Sequence, residues 1–147
     1  MAAAWKDPAI AAGAQPPDER STAAAERWIE GCAVRERRLL AIDRVIAVDD
    51  ACVGEVGLSS IDQRRKAALI GWWTSVEHRG NGYASAAVRA MTALAFDAFG
   101  LATLVAEIGI ENPGSVRVAE HSGFDLLRRG GEGLPHAYVC HRRGVTA

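Results

Sequence analysis

The nine residues Val76-Glu77-His78-Arg79-Gly80-Asn81-Gly82-Tyr83-Ala84 form the densest group in the chain able to hold an anion. Gly80 and Gly82 let a diphosphate approach the backbone with no Cβ in the way, and Arg79 can add a charged contact at its edge. Placed between a strand and a helix, such a loop aims several backbone N–H groups at one point, where the helix dipole also favours negative charge. The same two glycines also suit a tight strand-to-helix turn that binds nothing. Two familiar phosphate loops fail on these residues. A P-loop needs Lys and then Ser or Thr after its last Gly, and Tyr83 and Ala84 stand there. A dinucleotide fingerprint needs Gly at the sixth position counted from Gly80, where the chain has Ser85. For proton transfer the acidic candidates are Glu55 and Glu107, each inside an otherwise apolar run where burial would raise its pKa. An outward-facing Glu on a half-buried strand accounts for either one equally well. His78 is near the loop and is expected to face solvent.

The elements that must carry these residues can be read from pattern. Ser21 is placed to cap a helix in which Ala24, Trp28, Ile29 and Cys32 recur at helical spacing. Residues 39–48 and 52–58 read as two strands joined at Asp49 and Asp50, and residues 67–76 as a third. Residues 82–99 form the clearest helix, with Ala84, Val88, Met91, Ala95 and Phe99 in one stripe and Gly100 after it. A strand over 101–108 follows, so that strand, helix and strand predict a parallel pair. Asn112 and Pro113 begin a second short helix that Gly123 ends, and 124–128 and 137–141 complete the pattern as terminal strands. Residues 1–18, rich in Ala, Gly and Pro, are expected to be an irregular segment that packs poorly, with one domain over 19–147. Trp72 and Trp73 are adjacent and so face opposite sides of their strand, one toward the core and the other toward a cleft.

A chain of 147 residues can bury one substantial core. Its 17 basic and 18 acidic residues nearly balance, which argues against a nucleic-acid partner and makes 35–38 and 64–66 solvated surface charge. The three cysteines are widely spaced with no C-x-x-C pair, so neither a metal site nor a disulfide framework is indicated. No apolar run reaches the ~20 residues that a membrane helix needs. No membrane partner and a cytoplasmic location are therefore expected.

Arg79-x-x-Gly82-x-Ala84 resembles the Arg/Gln-x-x-Gly-x-Gly/Ala signature of the GNAT N-acetyltransferase superfamily. The run from Asn112 through Ser115 and Arg117 to Gly123 and Phe124 is similar to that superfamily's second motif. Val53-Gly-Glu-Val-Gly-Leu58 and Ile70-Gly-Trp-Trp73 resemble the RimJ/RimL-like branch, which acetylates ribosomal-protein N-termini. The resemblance covers residues 21–141 and implies an α/β (α+β) fold: a mixed, mostly antiparallel sheet of six or seven strands flanked by helices. In it a splayed parallel strand pair forms the cofactor cleft.

By that resemblance the cofactor is acetyl-coenzyme A. Its contacts would be Arg79, Gly80, Asn81, Gly82, Tyr83 and Ala84 at the pyrophosphate, the backbone near Val76 at the thioester carbonyl, and Asn112 and Ser115 beside the pantetheine and sulfur. The acceptor would be a primary amine, on a small molecule or a protein N-terminus, and the reaction needs no metal. The chain departs from the family where many members have a Tyr that protonates the thiolate, since Ala119 stands there. Ser115 is the first substitute and Tyr138 the second, while Glu55 and Glu107 remain the candidates for the base. The family usually starts with an additional strand, so an open sheet edge and a homodimer are expected. The rival expectation is a non-catalytic acyl-coenzyme A binding domain.

Overall fold

Ser21, in an extended conformation, accepts a hydrogen bond from the Ala24 N–H at 3.1 Å and so starts α1 (Thr22–Arg37). At its end Leu39 takes φ 53° and the Leu39 and Leu40 N–H groups return to Glu36 and Arg35. That winding delays the expected strand, and β1 runs Ile42–Val48. Asp49 and Asp50, at φ 48° and 64°, make the two-residue left-handed turn that matches the twist of a hairpin, and lead into β2 (Ala51–Asp62). β2 outlasts the expected 52–58 because Ser59 and Asp62 still pair with Leu69 and Ala67 of β3 (Ala67–Thr74). The Asp62 carboxylate then closes the turn by accepting from the Arg64 and Arg65 N–H groups at 3.0 and 2.9 Å.

After β3 comes a single 3-10 turn, Val76–His78, and then α2 (Tyr83–Asp97). Val88, Met91, Ala95 and Phe96 are its buried residues, and Phe99, just past its end, is partly buried against the same core. Gly100 at φ 65° ends the helix, and the Leu101 N–H returns to the Ala95 carbonyl at 3.0 Å. β4 (Thr103–Ile108), α3 (Pro113–His121), β5 (Asp125–Arg128) and β6 (His136–His141) follow. The computed structural model describes residues 1–8, 10 and 18–144.

Six strands form one mixed sheet in the order β1-β2-β3-β4-β6-β5, in which β3 and β4 alone are parallel. This is the expected α/β architecture. One sheet face packs Ile42, Val56, Leu58, Ile70, Leu104 and Ala106 against the buried side of α2. The opposite face carries a second cluster of Trp5, Ile10, Ala25 and Trp73, with Trp28 of α1 edge-on to Trp5 at 5.9 Å. The expected loose packing of the first residues does not hold for Trp5, which is 1% exposed, or for Ile10. Burial of Trp5 and Ile10 offsets part of the entropy lost in ordering this segment. Residues 11–17 lie outside the described residues.

Candidate active site

The parallel pairing of β3 and β4 extends only over Ala67–Thr103, Ala68–Leu104 and Leu69–Val105. Beyond that point β3 continues to Thr74 beside β2, and β4 continues to Ile108 beside β6. The two strands therefore splay, and the wedge between them has unpaired backbone on both walls. Two buried polar atoms near the end of β3, the Trp72 Nε1 and the Thr74 Oγ1, also lack a partner among the described residues. A buried unpaired group of this kind costs about 1–3 kcal/mol.

β3 leads straight into the glycine loop. Gly80 and Gly82 adopt φ 76° and 79°, a region that L side chains rarely enter, so the turn requires them whatever else they do. Gly82 occupies the N-cap of α2, and among the described residues no side chain caps the helix. The first-turn N–H groups are thus free of side-chain acceptors and available to an anion. Asn81 folds back, donating to the carbonyls of His78 and Arg79 at 3.1 and 3.2 Å, and stabilises the loop rather than extending from it. Arg79 also turns inward. Its Nε donates to the Thr74 carbonyl at 3.0 Å and its Nη2 lies 3.5 Å from Asp7. Val76 is exposed on the 3-10 turn, and Tyr83 and Ala84 form the first turn of α2. His78 is half-buried rather than solvent-facing, because its Nδ1 lies 2.8 Å from the Ser75 Oγ.

At the second motif the Asn112 side chain caps α3 by accepting from the Ser115 N–H at 3.0 Å. Ser115 is half-buried on the first turn of α3. Ala119 is fully buried in the main core. Tyr138 is also in the main core, 5% exposed, and its hydroxyl makes no hydrogen bond with a described residue.

The two acidic candidates separate sharply. Glu107 is exposed, because β4 turns Leu104, Ala106 and Ile108 to the core and Glu107 to the other side. Glu55 is largely buried on the face opposite α2 and pairs across the strands with Trp73, whose Nε1 donates to its Oε2 at 2.9 Å. Burial pushes its pKa from 4.5 up to about 7; the Trp73 hydrogen bond and Arg35 hold it down, and Asp43 adds to the rise. Trp72 packs against the main core and Trp73 is buried in the second cluster beside Glu55, so they face opposite sides as expected but neither lines a cleft.

Arg35 is not solvated surface charge. Its guanidinium lies 4.8 Å from the centre of the Trp28 ring, and Nη2 reaches the Trp28 carbonyl at 3.1 Å and Asp43 at 3.2 Å. The sequence carried no signal for the Asp43 contact, which depends on α1 lying beside β1, whereas the Trp28 contacts lie within α1 itself. A further apolar groove of about 470 Å³ lies between β1 and α2, lined by Val45, Ile46, Val48, Met91 and Leu94. It opens on the sheet face opposite Glu55 and touches the glycine loop only at Tyr83.

Residues 1–125 match the family model described as Acetyltransferase (GNAT) domain. The chain belongs to the GNAT acetyltransferase family. The ribosomal-protein-serine acetyltransferase of Escherichia coli (strain K12) is 28% identical over 100 residues, which are 68% of this chain and 56% of that protein. The GNAT chain thus spans little more than half the length of that curated relative. Among solved structures, the ribosomal-protein-S5-alanine acetyltransferase of Vibrio fischeri shares the fold with a TM-score of 0.80 and 19% identity, over 96% of this chain and 85% of the other. RimJ of Mycobacterium smegmatis in complex with CoA-disulfide gives 0.72 at 24% identity, over 83% and 63%. No helix among the described residues is long and apolar enough to cross a membrane.

Proposed function

We infer that this GNAT chain transfers an acetyl group from acetyl-coenzyme A to a primary amine, with a protein amino terminus as the acceptor. The observation that carries the reading is the splayed β3–β4 pair, whose first strand runs into a helix start that no side chain caps. A long thin cofactor with an anionic middle and a thioester end fits both parts. The free N–H groups of Gly82, Tyr83, Ala84 and their neighbours take the pyrophosphate, and the unpaired wall of β3 up to Val76 takes the pantetheine arm. Asn112 and Ser115 flank the same arm from the start of α3. The RimJ structure that shares this fold holds a CoA-disulfide, which supports coenzyme A as the carrier. The Escherichia coli and Vibrio fischeri relatives are named for serine and alanine of ribosomal proteins, which supports a protein acceptor.

Bound acetyl-coenzyme A would supply an activated thioester carbonyl. Only a neutral amine attacks a carbonyl, so an incoming ammonium must first lose a proton. Glu55, with a pKa of about 7 and one carboxylate oxygen held by Trp73, is suited to accept it at neutral pH. Backbone N–H groups near Val76 stabilise the charge that develops on the carbonyl oxygen, and the Ser115 hydroxyl can return a proton to the departing sulfur.

Calorimetry with acetyl-coenzyme A tests the cofactor site: wild type should bind, and Gly82→Trp, which fills the loop and strains φ 79°, should lose at least tenfold in affinity. Thiol release across peptides and amines tests the reaction. Binding with no acceptor-dependent release would leave the coenzyme A binder as the correct reading.

A further inference from the structure

We propose that Gly71 is the specificity-determining position of the acceptor path, where an extended peptide amino terminus crosses β3 on its way to Glu55. The inference rests on the acetyl-transfer reading and names where its substrate lies.

Strand glycines weaken a sheet and need a reason. Gly54 has one, since a Cβ there would collide with the Trp73 carbonyl. Gly57 has one too, because its Cβ would come within 2.9 Å of the Asp43 Oδ1 and 3.2 Å of the Ile42 carbonyl. Gly71 has none. It lies in mid-β3 without a positive φ, it is exposed, and a Cβ built on it meets no described atom within 4 Å. The fold itself would accept a larger residue at that position.

Gly71 pairs directly with Gly57, and the Asp43 carboxylate lies over Gly57, so Gly71 presents the bare backbone with that carboxylate beside it. By the alternation of strand residues this strip shares a face with Glu55 and Trp73, one pair along, and with Leu69 on the other side. Trp73 and Leu69 are four residues apart and so about 13 Å apart along β3, which leaves room for one extended chain to cross between them. The charges around the strip suit an ammonium group. Glu55 is at one end, Asp43 pairs with Gly57, and Glu107 shares the face through the Leu69–Val105 pairing. Asp43 is engaged by Arg35, but Glu107 has no ion pair with a described residue. A slender chain with a positively charged end that must come within proton-transfer distance of Glu55 is the occupant that this floor and these charges favour.

The test is calorimetric titration of a short peptide beginning with Ser or Ala into the protein saturated with coenzyme A, for wild type, Gly71→Ala and Gly71→Val. Peptide affinity should fall at least tenfold in Gly71→Val and by less in Gly71→Ala, while coenzyme A affinity stays within twofold of wild type. Melting temperature should hold or rise, since Val is a better strand former and meets no clash. Equal peptide affinity in all three proteins would overturn the proposal, as would a wild type that binds no peptide, or one in which Gly71→Val weakens a small alkyl amine but not the peptide. Thiol release by wild type is scored separately: its absence would count against acetyl transfer, whereas unchanged peptide KM in Gly71→Val beside normal release would remove only Gly71.

Discussion

Replacing Glu55 with Gln should stabilise the protein at alkaline pH and disable it at the same time. In the folded chain the Glu55 carboxyl titrates at about 7, against 4.5 for a free side chain, chiefly because burial disfavours its charge. Below pH 4.5 it is protonated in both folded and unfolded states and contributes no difference. Between 4.5 and about 7 the folded state holds the proton more tightly than the unfolded state, so stability falls as pH rises. At about 1.36 kcal/mol for each pH unit of separation, the loss reaches about 3 kcal/mol above pH 7. Gln has the same shape, still accepts from the Trp73 indole, and never ionises. Urea unfolding of wild type and Glu55→Gln should therefore agree near pH 4 and diverge in favour of the variant by pH 8, by up to about 3 kcal/mol. Exposed Glu107→Gln is the control and should shift stability by no more than about 0.5 kcal/mol at any pH. The acetyl-transfer rate of Glu55→Gln should drop on the order of a hundredfold or more, as expected on losing a general base. A stability difference that does not change with pH, or a variant less stable than wild type at pH 8, would refute the buried-carboxyl argument.

The Trp73→Phe change removes the hydrogen bond that favours the Glu55 carboxylate, so the ascending limb of the pH–rate profile should move above 7; a limb that stays in place would show that another group sets it. Trp5→Ala empties a site that is 1% exposed and should cost about 3–5 kcal/mol in urea unfolding, whereas a loosely attached first segment would cost almost nothing.

Local signals in the sequence were sufficient for most of the frame. Ser21, Asn112, Gly100 and Gly123 act through their own turns, and each starts or ends its helix where its chemistry implies. The order of strand, helix and strand likewise implied the parallel β3–β4 pair, because a helix between two strands leaves little other way to connect them. What pattern could not supply was register. Glu55 and Trp73 are 18 positions apart, and their contact exists only because β2 and β3 pair with Gly54 opposite Thr74. The same information separates Glu55 from Glu107, which look alike in sequence as single acids in apolar strands. Trp5 and Ile10 were misjudged for a related reason: a segment rich in Ala and Gly has no periodicity of its own, and its apolar residues are buried only by a sheet face formed much later in the chain.

Glu55 and Gly71 share a physical character that bears on which face of the sheet does the work. Each is a residue that the fold would be more stable without, one because it buries an ionisable group, the other because it leaves a strand position bare. The opposite face, under α2, is built mainly from apolar strand residues from Ile42 to Ala106, and among the described residues the unpartnered Trp72 Nε1 is its buried polar exception. Departures from stability tend to mark function, and here they occur two residues and one strand apart beside the open wedge. If the acceptor entered instead through the apolar groove between β1 and α2, neither cost would have a purpose, and Val45 or Ile46 variants rather than Gly71→Val would control peptide binding. The Gly71 titration therefore distinguishes two entry faces as well as testing one residue.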